Sequence, residues 1–358
     1  MPTRKLKIAQ VPGDQIPFSR QLLGSPYSIT TVSYLLSEEL VKRGHKVVAF
    51  VPSDSSTICQ IASGCFPSTD LRFKKYKFNS KERYELFKSY CQNVVNQADN
   101  FDIIHIHDLF LGAFKLLKDL KTPVLGTFHN PRFYKKDKKT LSKMMFVGIS
   151  KRQIEINPGF NFVGMVYNGI PIEKYPFNKK PKNYLLWLGR ISPEKGPLEA
   201  IRAVKRANKK MVMFGFIPPY HKSYVKKVFF EIEKNKKNVK FLGFADFKKK
   251  IRFLKNAAAL LSPIKWEEPF GLVMVEAMAC GTPVIAFNRG SVPEIVKNNK
   301  TGFVVENVME MARAIEKIPL ISRNKCREWV EKNFTVKKMT DGYEEIYERI
   351  VKNVKKNK

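Results

Sequence analysis

Two carboxylates separated by seven residues stand out first. They are Glu268 and Glu276, in the run Trp266-Glu-Glu-Pro-Phe-Gly-Leu-Val-Met-Val-Glu-Ala-Met-Ala-Cys-Gly-Thr-Pro-Val-Ile-Ala-Phe287. Every other residue from Leu272 to Ala279 is Leu, Val, Met or Ala, the composition of a buried helix. An ionised Glu inside such a helix costs several kcal/mol unless something partners it. One candidate partner is a Lys or Arg from a neighbouring element, making a structural buried pair. The other is a pair of vicinal sugar hydroxyls, because one carboxylate accepts a hydrogen bond from each of two adjacent O–H groups. Glu268 lies just before the helix start, where the N–H groups of Phe270, Gly271 and Leu272 lack intrahelical acceptors and can meet an anion. Gly271 leaves room there for close approach to the backbone.

A pair of cations follows. Arg190 and Lys195 stand in Gly189-Arg-Ile-Ser-Pro-Glu-Lys-Gly196, directly beyond the apolar run Tyr184–Leu188. A chain with 65 Lys and Arg contains many pairs five apart, so placement at the carboxyl end of a strand is what singles this one out. Arg forks onto phosphate oxygens and Lys supplies a compact charge, which suits a diphosphate both as bound and as leaving group. His129 ends the run Pro123–Phe128 and is expected at the carboxyl edge of a sheet in the first half. The competing reading is a loop histidine bonded to backbone. His105 and His107 alternate on one face of a strand and fit a structural role first, an acceptor pocket second. His45 follows Gly44 at a helix end and needs no functional reading.

The elements that would hold these groups alternate along the chain, short β-rich runs with longer amphipathic stretches, as in parallel sheets flanked by helices. In the first half the strands are expected at Leu6–Val11, Lys46–Val51, Phe101–Ile106, Pro123–Phe128, Phe146–Ile149 and Phe162–Val166. In the second half they are expected at Tyr184–Leu188, Met211–Phe214, Val239–Leu242, Ala258–Ser262, Pro283–Phe287 and Gly302–Val305. The α/β reading is therefore two doubly wound domains. Residues 1–167 form the first, a Pro- and Lys-rich linker 168–183 follows, 184–335 form the second, and 336–358 a terminal helix with apolar spacing through Met339, Tyr343, Ile346, Tyr347 and Ile350. Ligands of such sheets collect at the carboxyl ends of the strands, here in a cleft between the domains.

The string Glu268-Pro-Phe-Gly-Leu-Val-Met-Val-Glu276 resembles the Glu-x7-Glu signature of glycosyltransferase family 4. Its continuation through Ala277-Met-Ala-Cys-Gly-Thr-Pro-Val-Ile285, Val292-Pro-Glu294 and Gly302-Phe303 carries the same resemblance, as do Gly189-Arg190 with Lys195-Gly196, Val166-Tyr-Asn-Gly-Ile170, and Leu40-Val-Lys-Arg-Gly-His-Lys-Val47. The resemblance is collinear over most of the chain. It implies a GT-B fold, two Rossmann-like domains facing across a cleft, and transfer with retention from a nucleotide-diphosphate sugar to a hydroxyl of a carbohydrate or lipid-linked acceptor. It further implies that Glu268 holds hydroxyls of the donor sugar, Glu276 the ribose hydroxyls, and His129 the sugar near its reacting carbon. Arg190, Lys195 and helix-start N–H groups then stand in for a divalent metal; no metal site, no Asp-x-Asp and no cofactor is expected. Many members carry a Gly-Gly-Thr-Glu-like loop after the first strand. Here the region reads Gln21-Leu-Leu-Gly-Ser-Pro-Tyr-Ser-Ile29, so Gly24 and Ser25 are the candidates for an acceptor or phosphate loop. The terminal helix is expected to cross back onto the first domain. A nucleotide-sugar epimerase of the same fold is the alternative enzyme.

Composition frames the rest. The chain has 358 residues, 44% of them apolar, enough for two cores. Five cysteines without a Cys-x-x-Cys pair indicate free thiols, and the start Met1-Pro-Thr-Arg-Lys lacks a secretory signal, so a cytoplasmic protein is expected. The net charge of +33 suits a polyanion, or else solvated lysine-rich faces. Arg72-Phe-Lys-Lys-Tyr-Lys-Phe78 and Arg132-Phe-Tyr-Lys-Lys136 interleave aromatics with cations, from which salt-sensitive docking on an anionic membrane surface is expected. No helix-turn-helix, zinc-finger spacing or aromatic RNA-binding motif accompanies the charge, so specific nucleic-acid binding is not expected.

Overall fold

Each half of the chain closes its apolar runs into one parallel sheet. The computed structural model describes residues 4–13, 16–24, 27–70, 81–107, 116–117, 119–131 and 141–356. In the first half lie β1 Lys7–Val11, β2 Lys46–Ala49, β3 Gln60–Ile61, β4 Ile103–Ile106, β5 Val124–Phe128, β6 Met145–Gly148 and β7 Asn161–Met165. They pair in parallel in the order β3-β2-β1-β4-β5-β6-β7. In the second half β8 Leu185–Leu188, β9 Met211–Phe214, β10 Val239–Phe241, β11 Ala259–Ser262, β12 Val284–Phe287 and β13 Gly302–Val305 pair in the order β10-β9-β8-β11-β12-β13. Each order reverses direction once, at β1/β4 and at β8/β11, the crevice where doubly wound sheets take ligands. All twelve runs expected from the sequence form strands. The thirteenth, β3, is two residues long and has no apolar run to announce it.

Both sheets are covered on their faces, and the strands accordingly lose their polar alternation. β4, β5, β11 and β12 are buried at every position, as parallel strands between helix layers must be. The chain divides into two compact units, one built from Met1–Leu23, Tyr27–Gly169 and Val336–Lys358, the other from Gly24–Pro26 and Ile170–Thr335. The terminal helix Val336–Lys356 thus belongs to the first unit, where it packs on the helix Ser28–Lys42 and on β7. Its buried face carries Met339, Tyr343, Ile346, Tyr347 and Ile350, the spacing read from the sequence. Polar bonds fasten it as well. Arg43 reaches Asp341 at 2.8 Å and Glu344, and His45, buried, lies 2.8 Å from Glu344 Oε1 while its Nδ1 accepts from the Leu6 N–H. His45 is structural.

The five cysteines are free thiols. Among the described residues no helix is long and apolar enough to cross a membrane. The basic run Lys222–Lys240 is a solvated face, with every lysine in it exposed.

Candidate active site

In the second unit the loops after β8 and β11 flank the point where strand order reverses. They are joined through the backbone, because the Lys265 N–H donates to the Glu194 carbonyl at 2.9 Å. The Trp187 indole N–H, from β8, reaches the Lys195 carbonyl at 3.3 Å and fixes the end of the first loop. Lys195 Nζ then lies 2.6 Å from Glu268 Oε2, and the Trp266 indole N–H donates to the same oxygen at 2.8 Å. The ammonium also sits 4.9 Å from the Trp266 ring centroid, a cation–π contact. Glu268 is only 7% exposed, so this pair is formed largely out of water.

The backbone of Glu268 is fixed from the loop after β12. The Ser291 N–H donates to the Glu268 carbonyl at 2.8 Å. Gly290, at φ +59°, packs so closely that a Cβ would stand 2.2 Å from Glu268 N and 2.3 Å from its carbonyl oxygen. Only glycine fits that position.

Glu276 lies on the helix Leu272–Ala279 and is 8% exposed. Lys250 Nζ, from the helix Phe247–Asn256, lies 2.5 Å from its Oε1, and the Tyr175 hydroxyl donates to the same atom at 2.8 Å. Burial first, then the neighbouring Glu276 charge, raises the Tyr175 pKa well above its usual value, so the hydroxyl stays a donor. Of the two partners the sequence allowed for Glu276, the lysine is present. Yet among the described residues each carboxylate spends only one oxygen on protein. Glu268 Oε1 and Glu276 Oε2 have no partner among the described residues.

Arg190 and Lys195 are divided between two carboxylates. Arg190 pairs with Glu194 at 2.5 Å, its Nε lies 3.4 Å from Ser192 Oγ, and its side chain remains 37% exposed. Burial pushes the Glu194 carboxyl upward, but hydrogen bonds from Ser192, its own backbone and Arg190 outweigh that and hold it below the usual range. Glu194 was missed from sequence, although its place four residues after Arg190 in one short loop is a visible signal. The helix start is as expected in one respect. Gly271 is its N-cap at φ +85°, with no side-chain cap on the first N–H groups. The Phe270 ring, by contrast, is core, packed edge-on against Phe334 at 5.8 Å, and Leu272 opens the helix half-buried.

In the first unit His129 follows β5 and meets His107, which follows β4, with Nε2 to Nδ1 at 3.4 Å. Behind them His105 is wholly buried between Tyr347 and Thr127, and His107 bonds Gln10 of β1. Burial depresses all three histidines below their usual pKa. Burial brings His129 down to about 3, although the residue as a whole is only partly buried. Gly24 ends the short turn Arg20–Gly24. Ser25, Arg72 to Phe78 and Arg132 to Lys136 lie outside the described residues. No cluster of three or more His, Cys, Asp or Glu among the described residues is arranged to hold a metal.

Comparison with known proteins bears on the family and the fold. The model of glycosyl transferases group 1 matches residues 171–335, and that of Glycosyltransferase Family 4 matches residues 29–152. A 41.2 kDa protein of the cps region of Klebsiella pneumoniae is 29% identical over 291 residues, 70% of this chain and 79% of that one. A protein of Methanocaldococcus jannaschii, named only as an uncharacterized glycosyltransferase, is 28% identical over 286 residues, 72% of this chain and 78% of its own. The solved structure of Anabaena HepE with UDP-glucose superposes with a TM-score of 0.68 at 18% identity, covering 96% of this chain and 99% of that one. Its likeness establishes the GT-B fold. The chain is a glycosyltransferase of the family 4 type, a transferase enzyme.

Proposed function

We propose that the protein moves a sugar from a nucleotide-diphosphate sugar to a hydroxyl of a carbohydrate or lipid-linked acceptor, with retention and without a divalent metal. The observation that carries this is the pair of buried carboxylates beside the β8/β11 crevice. Each is tied by one oxygen to a lysine and, among the described residues, leaves the other oxygen unused. Glu268 takes hydroxyls of the sugar, and Glu276 takes the ribose hydroxyls. The helix-start N–H groups of Gly271 and Leu272, with Arg190 and Lys195, take the diphosphate. A relative of the same fold was solved holding UDP-glucose, which supports a donor of this class.

The chemistry follows from charge. As the bond between the anomeric carbon and the diphosphate oxygen breaks, positive charge grows on the sugar and negative charge on the phosphate, where the two cations stabilise it. The acceptor hydroxyl attacks from the side the diphosphate leaves, a phosphate oxygen takes its proton, and neither Glu acts as nucleophile. We assign His129 to the transferring sugar. The basic surface favours an anionic membrane as the place of work, on the cytoplasmic side.

Thermal unfolding in the presence of UDP-, GDP-, ADP- and TDP-sugars tests the donor. One of them should raise the midpoint saturably, since a ligand of the folded state adds RT ln(1 + [L]/Kd) to its stability. If none does, and no free nucleotide is released with any acceptor, the reading is wrong. The anomeric configuration of the product, read by NMR, tests retention.

A further inference from the structure

Seven polar side chains of the first unit form one continuous hydrogen-bonded line, and six of them are buried from solvent. It starts at His129, whose Nε2 faces His107 Nδ1 at 3.4 Å. The two rings lie within 28° of one plane with centroids 5.6 Å apart, so they meet edge to edge, as a ring N–H donor requires. His107 Nε2 lies 2.8 Å from Gln10 Oε1, and Gln10 Nε2 lies 3.3 Å from the Tyr347 hydroxyl. That hydroxyl is 2.6 Å from His105 Nδ1, His105 Nε2 is 2.7 Å from Thr127 Oγ1, and Thr127 Oγ1 is 2.8 Å from the Tyr343 hydroxyl.

Buried polar groups must be partnered, and a neutral imidazole has one donor and one acceptor nitrogen. Donors and acceptors along this line are therefore not independent. With the Gln10 amide turned toward Tyr347, the amide donates to the hydroxyl, and the hydroxyl proton goes to His105 Nδ1. His105 then donates to Thr127, and Thr127 to Tyr343. At the other end the Gln10 carbonyl oxygen can only accept, so His107 carries its proton on Nε2 and offers a lone pair at Nδ1. His129 must then donate to it from Nε2. Every group gives a proton to the next, and the opposite polarity would require the amide to turn over.

We propose that Gln10 and Tyr347 are positioning residues that fix the tautomer of His129 through His107, with Nε2 protonated and Nδ1 held as a hydrogen-bond acceptor. Among the described residues nothing occupies that Nδ1. It is free to accept a hydroxyl of the transferring sugar. The terminal helix, which brings Tyr347 to the line, thereby sets the protonation pattern of a residue two strands away. The proposal rests on the assignment of His129 to the sugar but can be tested apart from it, since the tautomer exists without substrate.

The test is heteronuclear NMR of the histidine ring nitrogens in the full chain without substrate, near neutral pH. The parent should show His129 as a single tautomer, protonated at Nε2 and unprotonated at Nδ1. Tyr347→Phe removes only the hydroxyl and lets the amide turn, so both tautomers should appear. Tyr343→Phe, on the same helix and equally buried, removes only the final acceptor and should leave His129 unchanged, which separates the line from general loosening of the helix. If Tyr347→Phe does not fold, Gln10→Met interrupts the same line and should give the same mixture. Donor binding should follow the competent fraction: a half-populated tautomer raises the apparent Kd for donor about twofold, with kcat at saturating donor unchanged. A parent protonated at Nδ1, or a Tyr347→Phe spectrum identical to the parent, overturns the proposal. If instead the tautomers behave as stated but His129→Ala turns over normally, the assignment of His129 to the sugar fails and the positioning stands.

Discussion

Removing Lys250 separates the two things Glu276 is asked to do. The Lys250–Glu276 contact is 2.5 Å, and the two side chains are 12% and 11% exposed, so the pair is effectively out of water. Replacing one partner of such a pair leaves an uncompensated buried charge and costs about 3–5 kcal/mol. Tyr175 still donates to Glu276 at 2.8 Å, and a hydrogen bond to a charged acceptor is worth about 1.5–3 kcal/mol, so Lys250→Met should fall at the low end, about 3 kcal/mol. At roughly 2–4 °C per kcal/mol for a domain of this size, the second unit should melt about 6–12 °C lower. In the double variant Lys250→Met, Glu276→Gln the charge is gone, Tyr175 keeps an acceptor, and most of the stability should return.

Donor binding should behave differently. Glu276→Gln, alone or with Lys250→Met, replaces a carboxylate facing vicinal hydroxyls by an amide with one acceptor, a loss of about 2 kcal/mol, or about thirtyfold in Kd. Calorimetric unfolding with and without nucleotide sugar reads both effects in one experiment. If Lys250→Met is as stable as the parent, the argument about the buried pair is wrong. If the double variant is stable and binds donor as tightly as the parent, Glu276 is structural only and its assignment to ribose falls.

Other perturbations test neighbouring parts. Acid should unfold the first unit early: His105, His107 and His129 are held neutral in the fold but take up a proton near pH 6.5 when unfolded. Stability is then full above that value and falls as pH drops below it, by up to about 1.4 kcal/mol per pH unit for each histidine and about 4 for the three. Urea unfolding between about pH 7.5 and pH 5 checks this, and a flat profile contradicts it. Gly290→Ala forces a side chain into left-handed backbone, about 1–2 kcal/mol, and against Glu268 at 2.2 Å, so both the melting point and turnover should drop; an active, fully stable variant would count against the role given to that turn. Arg190→Ala removes positive charge from the leaving diphosphate and should lower kcat about a hundredfold with a smaller change in donor KM; stopped assays at saturating donor measure it, and an unchanged kcat excludes Arg190 from the chemistry.

What the sequence disclosed and what it hid divide along physical lines. The strands were legible because strands buried on both faces need continuous apolar runs, and Ala259–Ser262 or Val284–Phe287 can hardly be read otherwise. Glu276 was legible because a charge in such company requires a partner. Which partner was not, since three consecutive lysines, Lys248, Lys249 and Lys250, compete for it. Helix rotation decides: Lys249 turns to the Leu242 carbonyl at 3.1 Å, while Lys250 follows Phe247 by three residues and precedes Leu254 by four, on the inward face. That periodicity ranks Lys250 first among the three, but only the packing of its helix on Leu272–Ala279, which no local pattern encodes, makes it the partner of Glu276. The line from Tyr347 to His129 was not available. The helical spacing of Tyr343 and Tyr347 predicts burial, but the partners of their hydroxyls depend on the register of β1, β4 and β5 beneath the helix, which no local pattern encodes.

On the proposed function both acids are kept for a ligand, and such a carboxylate has to survive the ligand's absence; the two do so differently. Lys250, 12% exposed and bonded beside Tyr175, holds one oxygen of Glu276 as a fixture, and the other oxygen is what remains for a polyol. Lys195 is 25% exposed, twice as open, and rests on Glu268 and the face of Trp266. An ammonium so placed loses little when it turns toward a diphosphate, because the incoming anion replaces the charge it leaves and the Trp266 N–H stays behind on Glu268. The internal ion pairs are therefore compatible with a donor site. On the proposed function, one pair would be the scaffold of that site, and the other a resting arrangement that the donor itself can exchange.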